Sequence, residues 1–332
     1  MAYSISGESG ALSRLNSSPK SLPDFGIPFE SRRSPDGDAA RERNIVWLRR
    51  HGLLATSAQE CMFRSYRIAD LTALWVPEAS GSALDVAVDT IALATLIEDQ
   101  FDGLVGFDES VARSACRPFF EVLEAGCTDA AGPWAAAFLD IWDRMRMGRS
   151  SGWCDRAARN WRGFLDACCA EAGVRGERRT LGVRHFLENR RESGFTYTMI
   201  DLIESSYNFE TTTRARNVPE LRSMVDITAD VVDTVNDLVS VEKEENSKDV
   251  HNLIFVLERE ENLSREDSLT EVLRRLRRWC AYFSECENKL ADQCVAAGLM
   301  TDETNSALRL GAAMRLAMGG HPSWYAATGR YN

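Results

Sequence analysis

From Ala39 to the C-terminus the chain repeats apolar residues at three- and four-residue spacing, with few prolines and no strand-like alternation. The pattern predicts roughly ten to twelve helices with short connections. Breaks are expected near Pro77–Gly81, Gly103–Gly106, Gly126–Pro133, Gly148–Gly152, Gly173–Gly176 and Gly319–Pro322. No internal repeat and no shift of composition marks a boundary, so residues 39–332 read as a single all-α domain. Residues 1–38 are rich in Ser, Gly and Pro and read as a flexible segment, loose or draped on the surface.

One segment departs from the amphipathic norm. Between Ala83 and Ile97 the chain is apolar on nearly every side, with Asp85 and Asp89 as exceptions, and a helix apolar all round is a buried helix. It leads directly into Glu98, Asp99 and Asp102. At 100° per residue, Ile91, Ala94, Thr95, Glu98 and Asp102 share one face. Either the helix ends in solvent and is closed by Gly103, or the acids sit at the rim of the interior and need a cation. The first reading puts carboxylates where the helix dipole already has its negative end.

A second polar stripe lies in residues 233–249, DTVNDLVSVEKEENSKD. Asn236, Ser240 and Glu244 follow at i, i+4 and i+8, with Lys243 between the last two on the wheel, over roughly 12 Å. Val231, Val232, Val235, Leu238, Val239 and Val241 form the opposite arc. Periodicity alone describes an amphipathic helix with a wet face. The chemistry says more: amide, hydroxyl and carboxylate oxygens in a row are hard ligands suited to Mg²⁺ shared with phosphates. Asn and Ser are also poor choices for an exposed helix middle.

Composition removes other classes. The 332 residues are 44% hydrophobic, enough for a large core, and the net charge of -11 argues against a nucleic-acid partner. No run of eighteen apolar residues predicts a membrane span, and the N-terminus lacks a signal-peptide pattern. Nine cysteines without a CxxC pair read as reduced, mostly buried thiols of a cytoplasmic protein. His51, His185, His251 and His321 show no paired metal spacing, and the basic run around Arg274–Trp279 reads as a solvated helix face.

Four stretches together resemble the bacterial class I terpene synthases. EDQFD (98–102) looks like their aspartate-rich motif, and NDLVSVEKE (236–244) like their Asn-Ser-Glu metal motif. NRRESGF (189–195) resembles the diphosphate-sensing segment, which assigns Arg190 as sensor, Ser193 as linker and Gly194 as helix break. HPSWYAATGRYN (321–332) resembles the terminal Arg-Tyr pair, here Arg330 and Tyr331. Order and separations agree from about Pro28 to the C-terminus.

The resemblance implies the class I terpenoid synthase fold, a helical bundle around a deep apolar cavity. It implies a prenyl diphosphate substrate, three Mg²⁺ ions, and cyclisation to a terpene hydrocarbon or alcohol with release of diphosphate. Asn236, Ser240 and Glu244 would hold one ion, and Glu98 with Asp102 the others. Arg190, Lys243, Arg330 and Tyr331 would grip phosphate oxygens. The family often forms dimers, so a homodimer is admitted. One departure stands out: the first acid of the aspartate-rich motif is usually Asp, and Glu98 is one methylene longer.

The turn before that motif is often aromatic in the family but here holds Ala92, Ala94, Thr95 and Leu96. The smaller residues raise a C20 substrate relative to the commoner C15, with farnesyl diphosphate still first and geranylgeranyl diphosphate second. Trp324, Phe63, Thr95 and Tyr197 are candidates for the substrate pocket, with Tyr66, Trp75 and Phe195 as further aromatics. Two other readings remain open. One is a chain-elongating prenyltransferase, which would normally carry a second aspartate-rich motif. The other is a non-catalytic helical relative with a degraded metal site.

Overall fold

The computed structural model describes residues 24–101, 104–129, 132–177, 181–247 and 249–331. Among them are fourteen α-helices and no strand. The helices are α1 (Gly37–Arg50), α2 (Ser57–Tyr66), α3 (Ile68–Trp75), α4 (Gly81–Phe101), α5 (Glu109–Ala125), α6 (Pro133–Arg146) and α7 (Ser151–Glu177). Then come α8 (Val183–Ser193), α9 (Thr196–Ser206), α10 (Thr213–Arg216), α11 (Pro219–Ser247), α12 (Leu253–Glu260), α13 (Arg265–Ala296) and α14 (Thr301–Tyr325). A 3-10 turn, Leu104–Phe107, follows α4. The all-α expectation holds. No helix is long and apolar enough to cross a membrane.

Local chemistry starts several helices where the sequence places them. Thr56 and Gln59 form a reciprocal capping box on α2, and Asp108 accepts the Ser110 and Val111 N–H groups at the start of α5. Asn252 caps α12 by accepting from the Ile254 N–H. Helix α4 is buried along most of its length, as its all-round apolarity requires. Its two internal acids are matched from neighbouring helices. Asp85 accepts from Arg43 Nε of α1, and Asp89 from Asn44 Nδ2 of α1 and Arg144 Nη2 of α6. Helix α11 packs along α13 and against α14, α8 and α9, while α4 packs against α1, α3, α6 and α9. A continuous apolar core runs from Phe25 to Tyr325, with a smaller cluster between α8, α12 and α13.

Two of the expected breaks fall just after the residues named for them. Helix α7 continues through Gly173 and Gly176 to Glu177, and α14 continues through Gly319, Gly320 and Pro322 to Tyr325. These glycines serve close approach rather than chain reversal. A Cβ on Gly176 would collide with the Phe107 carbonyl oxygen, and one on Gly319 with the carbonyl oxygen of Glu30. A Cβ on Gly320 would stand 2.8 Å from the Leu74 carbonyl oxygen.

Residues 24–36 of the N-terminal segment lie against the helices. Phe25 and Ser34 are buried, the Ser34 N–H donates to the Ala73 carbonyl at 2.9 Å, and its hydroxyl donates to the Ala79 carbonyl at 2.7 Å. Residues 1–23 lie outside the described residues.

Substituting Gly319→Ala should force the α14 backbone away from residues 29 and 30 and lower stability by about 1–3 kcal/mol. Gly152→Ala, on the open first turn of α7 where a Cβ meets only Ser150 Oγ at 3.9 Å, should be neutral or stabilising. Urea midpoints of the two variants check the pair; equal midpoints would remove the close-approach reading.

Candidate active site

Helices α4 and α11 supply opposing walls of a cavity enclosing about 210 Å³ of free space. From α4 come Ile91, Ala94, Thr95 and Glu98, the face drawn on the wheel, and then Phe101. Asp102 lies outside the described residues. From α11 come Val232, Asp233, Asn236, Lys243 and Glu244. The valine arc assigned to the far side is corrected here: Val232 faces the cavity, because the wall is apolar below its polar rim. Ser240 is buried and donates from Oγ to the carbonyl of Asn236, one turn back, at 2.8 Å. Glu244 accepts from Asn252 Nδ2 at 2.7 Å.

The acids at the end of α4 are half-buried and paired with a cation. Arg330 Nη2 lies 3.1 Å from Glu98 Oε2 and 3.1 Å from Asp99 Oδ1, and its guanidinium sits 5.2 Å from the Tyr66 ring centroid. Arg175 of α7 donates to the Gly106 carbonyl at 3.1 Å and to the Phe101 carbonyl at the end of α4. Cations therefore offset both the carboxylates and the negative end of the helix dipole. Tyr331, next in the chain after Arg330, accepts from Asn236 Nδ2 at 2.7 Å. The terminal Arg-Tyr pair thus joins the two acidic motifs directly.

The junction of α8 and α9 brings a second arginine to the cavity. Arg190 donates from Nη2 to Asn236 Oδ1 at 2.9 Å and from Nε to the buried Asp237 at 3.0 Å. Its neighbour Arg191 turns away and forms a two-point pair with Asp230. Ser193 ends α8, Gly194 follows, and Phe195 takes a left-handed φ of 65° to start α9. Gly194 has no room for a Cβ, which would collide with the Asp233 carboxyl. Asp233 in turn accepts from Thr196 Oγ1 at 2.9 Å, so the break is pinned from both sides. Burial lifts the Asp233 carboxyl well above the ordinary range, only partly opposed by the Arg190 charge.

Two candidates fall outside the cavity. Phe63 is buried against the Tyr66 ring, and Tyr197 donates to Asp226 at 2.9 Å in a separate surface depression beside Arg222. Trp324 does line the cavity, with its indole N–H held by the Tyr66 carbonyl at 2.8 Å. The sequence reading missed Tyr325 and His321 as a pair. Tyr325 Oη accepts from Asn236 Nδ2 at 3.1 Å and meets His321 Nε2 at 3.1 Å. Their i, i+4 spacing on α14 was the available signal. Burial pushes the imidazole of His321 down to about 3, so it is neutral.

The donors fit a hard divalent cation. Asn236, Ser240, Glu244 and Glu98 offer oxygen only, and no group of three or more His, Cys, Asp or Glu among the described residues forms a rival site. Burial, then the neighbouring Asp237 charge, raises the Glu244 carboxyl. A buried carboxyl so destabilised as an anion is one that a bound cation would return to its charged form.

The sequence profile of terpene synthase family 2, described as its C-terminal metal-binding part, matches residues 89–281 and so takes in both motif helices. The chain belongs to the bacterial class I terpene synthases. Pentalenene synthase of Streptomyces avermitilis is 32% identical over 310 residues, spanning 93% of this chain and 92% of that protein. The (-)-beta-caryophyllene synthase of Saccharothrix espanaensis, named as cyclising (2E,6E)-farnesyl diphosphate, is 30% identical over 93% of this chain and 88% of its own length. The crystal structure of germacradien-4-ol synthase from Streptomyces citricolor superposes with a TM-score of 0.82 at 26% identity, covering 94% of this chain and 99% of that one. The synthase is therefore an enzyme acting on a prenyl diphosphate, with the helical fold that the motifs implied.

Neutrality of His321 has a measurable consequence. Its folded-state proton affinity lies below the unfolded value near 6.5, so the unfolded chain binds more protons in the acid range and stability falls as pH drops. Between pH 7 and 4.5 the stability advantage of the wild type over His321→Gln should shrink by about 2–3 kcal/mol. Urea melts of both proteins at the two pH values test this; a constant gap would contradict it.

Proposed function

We propose that the synthase ionises farnesyl diphosphate, with geranylgeranyl diphosphate second, using three Mg²⁺ ions, and cyclises the resulting cation to a terpene hydrocarbon or alcohol. The carrying observation is the link from Glu98 of α4 through Arg330 and Tyr331 to Asn236 of α11. Two oxygen-donor motifs, far apart in the chain, meet at one polar rim above an apolar cavity. Relatives named as cyclising (2E,6E)-farnesyl diphosphate support the C15 choice. The small side chains Ala94 and Thr95 on the wall support room for a folded chain.

When bound, Mg²⁺ would be held by Asn236, Ser240 and Glu244 and by Glu98, and would supply positive charge to the leaving diphosphate. The chain's own groups do the rest. Arg190 presents a planar fork at the rim, preset by Asp237 and Asn236, suited to two phosphate oxygens at once. Arg330 and Lys243 add charge at the same rim, and the Tyr331 hydroxyl adds a hydrogen bond. Below them Ile91, Phe195, Met199, Val232 and Trp324 offer apolar and aromatic faces to a cation.

Incubation with geranyl, farnesyl and geranylgeranyl diphosphates plus Mg²⁺, followed by gas chromatography, should give a terpene from farnesyl diphosphate. A longer prenyl diphosphate as product would indicate a chain-elongating transferase instead. Asn236→Ala should lower turnover at least ~100-fold while leaving the fold intact; near-normal turnover would discard the metal assignment. Arg190→Lys keeps the charge but loses the fork, so turnover should fall sharply, whereas Arg191→Lys should act mainly on stability. Rates and melting temperatures for the two variants separate these effects. Glu98→Gln should be more damaging than Asp99→Asn, because Glu98 lines the cavity and Asp99 does not. Side-by-side Mg²⁺ titrations decide it, and a silent Glu98→Gln would move the ligand elsewhere.

A further inference from the structure

His321 is a wall residue of the cavity and only 5% exposed. Its two nitrogens have different surroundings. Nε2 lies 3.1 Å from Tyr325 Oη, while Nδ1 is buried with no hydrogen-bond partner among the described residues. One tautomer continues the direction of the neighbouring hydrogen bonds. Arg190 donates to Asn236 Oδ1, which fixes the amide so that Nδ2 donates to Tyr325 Oη. Tyr325 accepts from Asn236, and its own proton is then available to His321 Nε2, which is the arrangement we adopt. A neutral imidazole that accepts at Nε2 carries its hydrogen on Nδ1.

The result is an N–H donor in an apolar wall. The neighbouring indoles cannot receive it, since Trp75 and Trp324 are themselves donors, to the Met199 and Tyr66 carbonyls. A hydrocarbon chain has no acceptor to offer. A buried donor left unsatisfied is destabilising, and the smallest acceptor that fits is water.

We propose that His321 Nδ1–H holds a water molecule in the cavity wall and that this water captures the final carbocation, so that the enzyme releases a terpene alcohol. The inference rests on the cyclase reading above. Water accepting from Nδ1–H keeps a lone pair for the cation. That pair forms the new C–O bond, and the resulting oxonium loses one proton, breaking an O–H bond. The proton passes to an oxygen of the diphosphate released in the same turnover. His321 gives up no proton and takes none; it is a positioning residue.

The test is incubation of the full chain with farnesyl diphosphate and Mg²⁺ in H₂¹⁸O, with products resolved by gas chromatography and mass spectrometry. The wild type should give an alcohol bearing ¹⁸O. His321→Gln can keep the contact to Tyr325 but has no donor at the Nδ1 position. Its alcohol-to-hydrocarbon ratio should fall at least about tenfold, the scale of one lost buried hydrogen bond. His321→Asn places its amide nitrogen near Nδ1 and should retain alcohol formation. A structural role through Tyr325 would reverse the order of these two variants and overturn the proposal. An active wild type that releases only hydrocarbon, or an alcohol without label, overturns it as well while leaving the cyclase reading in place. No product from any prenyl diphosphate would remove both.

Discussion

A carboxylate taken out of water needs a cation beside it, and this requirement organises the mouth of the cavity. Glu98 and Asp99 end a buried helix where the dipole already disfavours negative charge, and Arg330 lies between them. Asp237 is fully buried one residue after Asn236, and Arg190 answers it from another helix. Arg190 thus stabilises a buried acid and Arg330 two half-buried ones, and each also stands beside an oxygen donor of the site. Charges that the fold must neutralise are the charges that the chemistry uses.

The rest of the architecture serves that pairing. Arg330 can reach α4 only because α14 continues unbroken to Tyr325 and lies tightly against α3 and the N-terminal segment, which its glycines permit. Arg190 can reach α11 only because α8 stops at Gly194, where the Asp233 carboxyl leaves no space for a side chain. Glycine has opposite local outcomes in the two places, continuation in one and interruption in the other. Both follow from how near another chain segment comes.

Below the rim the cavity is apolar, with one polar line running into it. The connection Arg190–Asn236–Tyr325–His321 carries hydrogen-bond direction from the phosphate-facing rim to the hydrocarbon-facing wall. In the arrangement we propose, each donor in that line is given to the next acceptor, which puts the imidazole hydrogen on Nδ1 without any change of charge. Low dielectric makes both ends consequential: a satisfied group is held firmly, and an unsatisfied one seeks a partner.

The amino-acid sequence by itself determined the helical class, the buried character of α4, and the face carrying Ile91, Ala94, Thr95 and Glu98. These depend on local periodicity, which needs no knowledge of neighbours. The stripe of Asn236, Ser240 and Glu244 at i, i+4 and i+8 was a local pattern as well, while its place with Lys243 at a cavity mouth came from the family resemblance and not from the spacing. Tertiary structure alone decided that Arg330 would bridge Glu98 and Asp99, that Arg190 would be held by both Asn236 and Asp237, and that Phe63 and Tyr197 would lie elsewhere. It alone decided that Gly176 and Gly319 would not break their helices, and that His321 would be left with one engaged nitrogen. Each of these turns on which surface approaches from a distant part of the chain, and a single sequence carries no distances between its helices.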